Sequence, residues 1–545
     1  MARAIRRSLI LKGTLEAETP LHVGGAEEGI EVDLSLALNG RGEAYVPGTS
    51  LAGALRAWME RNLGEGLPRE WWGYQGQKDT DDETANRISE ILGNSPPMRS
   101  PQDAEGGTAS RILVEDAPVM LPGGARSEVW HGVGIDRQWG TGAGGIKFER
   151  EVLPKGTRIP LELRLDVASK DDLERSRAAL SHLAQALADG CIRLGAAGTR
   201  GLGRTRLLDS WQGLERDWSN RQGVLALLRD PRGGQDETEA WKQAAQGRAL
   251  GRVPAVNVTL HWRPRGPLMV KAPRDGVAVD ALPMFSADGE CQVLVLPGSA
   301  IKGLLRSQAE CIVRTVLSLN PQWNENPRQR HLDQLAVPLV TELFGNPRPP
   351  KGNEIAKEGR RGALAVATCY SRNGRLGYAQ WQTIASAAPE SEGGASPLPP
   401  LFEHAGLAFQ HAFHVAVDRW TGGAAESLLY SGVEPFGIEW EPISIRLDLA
   451  AVGPKGAAIA LLWLVLRDLW EGRLGLGFGV NRSYGAVKIE RVQMDGLDGI
   501  HPDWPAHVEV ALCEGKANIG GHHDWLHSME LAWESWINGA KGDGQ

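Results

Sequence analysis

Two aspartates stand in matching settings. Asp33 lies in GIEVDLSLALNGRGEAYVPG, fourteen residues before Pro47; Asp280 lies in GVAVDALPMFSADGECQVLVLPG, seventeen before Pro297. Each follows a valine and precedes a Pro-Gly turn. A loop carboxylate of this kind takes or orients a proton, or holds a hydrated divalent ion that keeps most of its own waters. The plain alternative is a solvated acid. Asp275, in PRDGV, competes with Asp280, although its Asp-Gly pair reads more naturally as a turn. Glu27, Glu28 and Glu31 crowd Asp33. They either share a cation with it or form a repulsive, solvated face, and the second reading is the simpler.

The cationic candidates sit in glycine-rich surroundings. GTRGLGRTR sets Arg200, Arg204 and Arg206 beside Gly195, Gly198, Gly201 and Gly203. Glycines let backbone N–H groups approach phosphate, and the arginines add charge; a tight turn with surface arginines is the alternative. Asp136-Arg137 and Asp418-Arg419 read as internal ion pairs pinning the base of a hairpin, or as arginines offered to phosphate. GGHHDWLH offers His522, His523, Asp524 and His527, with His523 and His527 one helical turn apart. A helix start capped by Asp524 explains that cluster more simply than a metal site. No Walker loop, HExxH or CxxC pair occurs.

These residues recur. PGTSLAGALR (Pro47 to Arg56) matches PGSAIKGLLR (Pro297 to Arg306) at an offset of 250. VGIDRQWGTG matches VAVDRWTGG at 282, and AAGTRGLGRTRL matches FGVNRSYGAVKI at 282 again. Three ordered blocks indicate a duplicated chain. The change of offset puts about 32 extra residues into the second copy, and the polar, Pro-rich stretch Asn320 to Arg361 is the expected insertion. The copies then span 1–210 and 253–495, joined by a helical connector over 211–252 and followed by a 496–545 tail with a helix from Asp524 to Ile537.

Each copy opens on a period-two apolar strand, SLILKGTLEAETPLHV or AVNVTLHWRPRGPLMV. A helix follows the Pro-Gly turn, with Leu51, Leu55, Trp58 and Met59 on one face and Thr49 or Ser50 as its N-cap. A second helix, capped at Ser169 in the first copy and running through AAIALLWLVLRDLW in the second, precedes the glycine block and a last strand. The order strand–helix–strand–strand–helix–strand is ferredoxin-like, an α+β class.

The 545 residues carry 59 Lys and Arg against 67 Asp and Glu, a net charge of −8, so a generally basic nucleic-acid coat is excluded and any RNA or DNA site is a local patch or one completed by other subunits. Five scattered cysteines fit a reducing, cytoplasmic compartment. The most apolar run, Ala457 to Trp470, is too short to span a bilayer.

The set LHVGG, Asp33, YVPGTSLAGALR, VGIDR…FEREVLPKGT and LGAAGTRGLGRTRL resembles the RAMP superfamily of CRISPR-associated proteins, in particular the backbone subunits of type III effector complexes. The second copy resembles it through LVLPGSAIKGLLR, VAVDRWTGG and LGFGVNRSYGAVKIE, and the fused pair is similar to a type III-D arrangement. The resemblance implies two RNA-recognition-motif-like (ferredoxin-like) palms. In each, a β-hairpin thumb follows the IDR block. It implies a CRISPR guide RNA, a single-stranded target RNA and further effector subunits as partners, with no membrane. Asp33 and Asp280 would be the catalytic and metal-binding residues, served by Mg²⁺ or Mn²⁺ and attacking through the target 2′-OH. Ser50, Arg56, Arg137, Arg200, Arg204, Lys302, Arg306, Arg419 and Arg482 would contact RNA. Where the family has a Lys or Arg, the second copy keeps Lys302 and the first has Ala52. A non-catalytic scaffold and a guide-precursor processing enzyme are the rival readings. His22 and His131, the acid–base candidates for processing, have no counterpart at the matching offset.

Overall fold

The computed structural model describes residues 5–25, 32–63, 71–73, 109–168, 171–230, 233–247, 253–320, 323–347, 359–388, 396–513, 516–518 and 523–542. Glu27, Glu28, Glu31, Ser169 and His522 lie outside the described residues.

The alternating apolar pattern of the first copy builds an antiparallel sheet. Its strands are β1 (Arg7–Ala17), β2 (Ile112–Val114), β5 (Arg158–Val167) and β6 (Thr205–Asp217), in the spatial order β2-β5-β1-β6, with the short strand Gln235–Asp236 beyond β6. Alternate residues of β5 are buried, as period two requires when one face meets a core. Leu9 faces Leu165 and Leu11 faces Leu163 in that register. Helix α1 (Gly48–Leu63) and helix α2 (Asp171–Ala188) close the core, α1 burying Leu51, Leu55 and Met59 with Trp58 packed beside them. Between β2 and β5 stands a hairpin of β3 (Glu128–Ile135) and β4 (Gly142–Val152).

The second copy repeats this plan. β7 (Ala255–Pro264), β8 (Leu364–Val366), β11 (Ile443–Asp448), β12 (Val487–Asp495) and β13 (His507–Cys513) form a sheet ordered β8-β11-β7-β12-β13, all neighbours antiparallel. Its helices include α3 (Gly298–Leu317), α4 (Pro327–Gln334), α5 (Lys455–Trp470) and α6 (His523–Gly542), and its hairpin is β9 (Phe409–Val417) with β10 (Ala424–Pro435). Helix α5 is apolar almost all round because both of its sides are covered. One side meets the sheet; the other meets α6 through the edge-on pair Trp463–Trp525, 5.3 Å between centroids. No helix among the described residues is long and apolar enough to cross a membrane.

Several expectations shift. β6 runs to Asp217, so Trp211 and Leu214 belong to a strand and not to a helical connector; the helices of that segment are Arg221–Arg229 and Thr238–Ala245. The segment after 495 is more than a tail, since β13 and Lys516–Asn518 widen the second sheet. Helix α1 starts at Gly48, and the Asp116 carboxylate accepts the Gly48 N–H at 2.7 Å, so neither Thr49 nor Ser50 caps it. Asp524 lies inside the first turn of α6.

The extra residues of the second copy are also displaced from 320–361. Edge strand β2 matches β8 at an offset of 252, still close to 250, whereas β3 matches β9 near 282. The excess therefore falls between Val366 and Phe409, where the helices Tyr378–Ser386 and Leu398–His404 pack on Val279, Leu282 and Val433.

Candidate RNA-binding and cleavage site

Each aspartate is fastened to the edge of a hairpin. Asp33 Oδ2 accepts the backbone N–H of Glu149 at 2.8 Å. The next residue, Leu34, donates to Glu149 O at 3.0 Å, and Glu151 N donates back to Leu34 O at 2.9 Å. In the second copy Asp280 Oδ2 accepts the N–H of Ser431 at 2.8 Å, Ala281 donates to Ser431 O at 3.1 Å, and Val433 N donates to Ala281 O at 2.9 Å. The aspartates are offset by 247 residues and their hairpin partners by 282. The same three-bond clamp is thus rebuilt although the intervening loops differ in length. Both aspartates are exposed.

The clamp uses Oδ2 and leaves Oδ1 of each aspartate with no hydrogen-bond partner among the described residues. Asp275, the rival, is paired with Lys271 at 2.9 Å. Among the described residues no group of three or more His, Cys, Asp or Glu side chains gathers round a common point. One exposed, pre-oriented carboxylate oxygen fits a hydrated Mg²⁺ or Mn²⁺ whose remaining ligands would be water and phosphate oxygens, and the described residues form no cage of protein ligands around it.

Around Asp33 the hairpin carries titratable neighbours. His131 lies opposite Glu149 in register and its Nε2 is 2.9 Å from Glu149 Oε1. Partial burial pulls the His131 pKa down, Lys147 adds to that, and Glu149 opposes it. Position 413, opposite Ser431, is Phe, so the second copy has no such pair there. His22 is buried, with Nδ1 2.6 Å from Glu151 O, and burial lowers its pKa; it is a core residue.

The Asp-Arg blocks form the hairpin tips rather than preceding the hairpins or pinning their bases. Asp136 Oδ1 accepts the N–H groups of Gln138 and Trp139, and Asp418 Oδ1 accepts that of Trp420. The first tip is docked. Asp136 Oδ2 takes Arg330 Nε at 3.1 Å and Oδ1 takes Gln334 Nε2 at 3.1 Å, both from α4 of the second copy. Arg137 Nε reaches Glu310 Oε2 at 2.6 Å and its backbone N–H reaches Gln334 Oε1 at 2.8 Å. Arg137 is thereby an inter-copy contact. The second tip is open: Trp420 is 96% exposed, and Arg419 is exposed beside it.

The cations divide into exposed and internal sets. Arg200 and Arg482 lie on the outside of matching glycine loops, over 3-10 turns Gly198–Arg200 and Val480–Arg482. Arg482 stands 4.8 Å over the Tyr430 ring and bonds its hydroxyl. Arg200 abuts the start of α3, where a Cβ on Gly298 would lie 2.8 Å from Arg200 O. Arg204 pairs with Glu18 at 2.7 Å and Arg206 with the same residue at 3.5 Å. Ser50 is half-buried in the first turn of α1, and Arg56 is exposed and paired with Glu60 at 2.7 Å. Lys302 and Arg306 turn inward. Lys302 is 6% exposed and donates to Leu364 O at 2.7 Å; burial, then Arg200, Arg306 and Arg361, pull its pKa down to about 7. Arg306 bonds Glu310 and the carbonyls of Gly345 and Leu335. Both serve the packing of α3 rather than an open face.

The glycines have an internal reason. Gly203 and Gly485 have φ of 75° and 72°, and a Cβ on either would sit 2.0 Å from a carbonyl oxygen, Leu194 O or Leu476 O. Their N–H groups donate to Pro20 O and Pro267 O. These N–H groups are spent inside the fold and are not free for phosphate.

The sequence reading missed the backbone anchors at Glu149 and Ser431, although the 282 offset relates them. It also missed the docking partners Glu310, Arg330 and Gln334, which no repeat marks.

Comparison with known proteins agrees with this duplication. The family model of the RAMP superfamily matches residues 14–206 and again 283–488. The chain is also 26% identical over 216 residues to the CRISPR system Cms endoribonuclease Csm3 of Methanocaldococcus jannaschii, covering 38% of this chain and 80% of the relative. With two matched regions spanning well over half its length, the chain belongs to the RAMP superfamily.

Proposed function

We propose that this chain is a double backbone subunit of a type III CRISPR effector complex. It holds a guide RNA along both copies and cuts the complementary target RNA beside Asp33 and beside Asp280. The observation that carries this reading is the repeated clamp: each exposed aspartate is held at 2.8 Å by a hairpin N–H through one oxygen, and its other oxygen has no hydrogen-bond partner among the described residues. A loop acid with no role has no reason to be rebuilt across two different loop lengths. The relative's printed name, an endoribonuclease of a CRISPR system, supports the same class of activity.

The strand orders β2-β5-β1-β6 and β8-β11-β7-β12 support reading each copy as a ferredoxin-like palm, with the β3–β4 and β9–β10 hairpins as thumbs. Arg200 and Arg482 would hold guide phosphates at equivalent places on the two palms. Each aspartate orients the target 2′-OH or its proton, and the hairpin edge fixes that carboxylate before the RNA arrives. A divalent ion on the free oxygen would supply charge to the phosphoryl oxygens as the 2′-oxygen attacks. The unpaired cysteines Cys191, Cys291, Cys311 and Cys369 fit a reducing, cytoplasmic compartment.

The test is to purify the chain with its co-expressed partners, sequence the bound RNA, and assay Asp33→Ala and Asp280→Ala on a matching target. Repeat-derived small RNAs and one lost product set per substitution are expected. A chain carrying no repeat-derived RNA, or one that cuts unchanged in the double variant, overturns the reading.

A further inference from the structure

The two aspartate loops are braced by different means. The hairpin residue that closes each clamp is Glu151 in the first copy and Val433 in the second, 282 positions apart. Glu151 Oε2 also accepts the Leu36 N–H at 3.2 Å, so the first hairpin itself holds the loop beyond Asp33. Leu34, beside Asp33, stays 37% exposed. The Val433 side chain cannot accept a hydrogen bond. It is buried instead in one apolar cluster with Val279 and Leu282, which flank Asp280 and are 5% and 3% exposed. The other side of that cluster is Ile384, Leu398 and Phe402, from the helices Tyr378–Ser386 and Leu398–His404. These helices are the inserted residues of the second copy; in the first, only residues 115–127 separate β2 from β3.

The insertion grips the loop, the hairpin and the palm at once. Val277, in the Asp280 loop, donates its N–H to Ala385 O at 3.2 Å. At the start of β9, Phe402 meets Phe409 edge-on at 5.7 Å, and Ser396 Oγ lies 2.6 Å from His411 Nδ1. Trp381 stands 4.3 Å from Phe285 of the palm. The two hairpins need different supports. The first rests on the second copy at both ends: Glu128 at its base accepts the Ala287 N–H at 2.7 Å, and its tip is docked on α4. The second has an open tip and is held at its base by the insertion.

An exposed carboxylate hydrogen bond is worth too little to hold a loop by itself, whereas a buried apolar cluster holds it firmly. A carboxylate that takes part in a reaction must keep its place to a fraction of an ångström, and packing of its neighbours is what secures that. We propose that the inserted helices are the positioning element of the second cleavage site. Phe402, Ile384 and the Ala385 carbonyl hold the Asp280 loop against its hairpin, and the first site, braced through Glu151, works without them. The proposal rests on the reading that Asp280 cuts target RNA.

The experiment uses the full chain in its assembly with guide RNA, and compares the parent with Val277→Pro and Phe402→Ala. Val277→Pro removes one N–H from a residue whose side chain is mostly exposed, so it leaves the core whole if Phe402→Ala fails to fold. Cutting is followed position by position on a denaturing gel over a range of target concentrations. Amide hydrogen exchange is read over residues 277–282 and at Val433. In both variants the rate of the Asp280-dependent cut at saturating target should fall about tenfold to a hundredfold, the range that a misplacement of up to about 1 Å costs. The target concentration giving half that rate should not move, and the Asp33-dependent products should keep the parent rate. Exchange at Asp280, Ala281 and Val433 should quicken. Phe402→Leu, which keeps an apolar contact, should recover most of the rate and of the protection. Quickened exchange with the Asp280-dependent cut at the parent rate overturns the proposal, as does unchanged exchange in both variants. Equal loss of the Asp33-dependent products overturns it too, since the effect would then be general. A parent chain whose products are all insensitive to Asp280→Ala overturns the reading beneath, and this proposal with it.

Discussion

Asp33 and Glu149 are 116 residues apart in the chain, yet the carboxylate of the first accepts the backbone N–H of the second at 2.8 Å. Because the acceptor is a side chain and the donor is backbone, the contact depends on the path of the hairpin and not on the type of residue 149. That is why the second copy forms it with a serine, Ser431. The relation leads to the first expectation.

Asp33→Asn keeps an oxygen that can accept the Glu149 N–H but loses the charge. Both Asp33→Asn and Asp33→Ala should delete the target-RNA products of the first copy and leave those of the second. Folding stability should change by about 0.5 kcal/mol or less, since the side chain is exposed. Gel mapping of products from an intact assembly checks this; simultaneous loss of every product from one substitution would sink the two-site reading.

The cuts that depend on Asp33 should also depend on a divalent ion and on the 2′-OH. One carboxylate cannot neutralise the charge developing on the phosphoryl oxygens, whereas Mg²⁺ or Mn²⁺ does. A target with a single 2′-deoxy sugar at the Asp33-dependent position should bind and stay whole there. Persistence of that product in excess EDTA would take the metal out of the step.

RNA affinity should fall steeply with salt, and exposure should decide which cations contribute. Arg200→Ala and Arg482→Ala should each lower the log–log salt slope by about 1, as expected for one lost phosphate contact. Lys302→Met should leave the slope alone, because Lys302 is 6% exposed and bonded to Leu364 O. Filter-binding titrations at several salt concentrations separate the two classes.

Lys302 should instead appear in the pH dependence of stability. Its folded pKa is about 7, below the ordinary 10.5. Between those values the unfolded chain holds a proton that the folded chain has released, so stability should rise with pH from about 7 to about 10, by a few kcal/mol at most. Urea unfolding at pH 7 and pH 9 should show the rise, and Lys302→Met should flatten it. An unchanged rise in the variant would place its origin elsewhere.

Asp136 should hold the copies together. Burial pushes its pKa up, but the hydrogen bonds from Gln138, Gln334 and Arg330 outweigh that and leave it lowered. Its contribution is present above the unfolded carboxylate value near 4 and lost as pH falls below it. Asp136→Ala strands Arg330 and should cost about 3 kcal/mol, by thermal or urea unfolding. Asp418→Ala, at the undocked tip, should cost less; equal effects would mean that docking contributes nothing.

The sequence alone determined what depends on local order. Duplication was legible because matched blocks recur at 250 and 282. The α1 face of Leu51, Leu55 and Met59 was legible from helical spacing, and the α+β class from the alternation of strands and helices. Asp33 and Asp280 could be picked out because valine, acid and Pro-Gly turn recur together. What the tertiary structure decided were partners far apart in the chain. Lys302 and Arg306 looked like phosphate contacts because their block sits at a helix start, but the packing of α3 buries Lys302 and ties half-buried Arg306 to Glu310 and two carbonyls. Arg137 met Glu310 across the copies, 173 residues away, where no local pattern points. The inserted residues moved from 320–361 to the stretch before β9 because edge strand β8 had to keep its place beside β11. His414, Glu434 and Tyr484 are spread over seventy residues, and only the meeting of the second hairpin with its glycine loop brings them within hydrogen-bond distance.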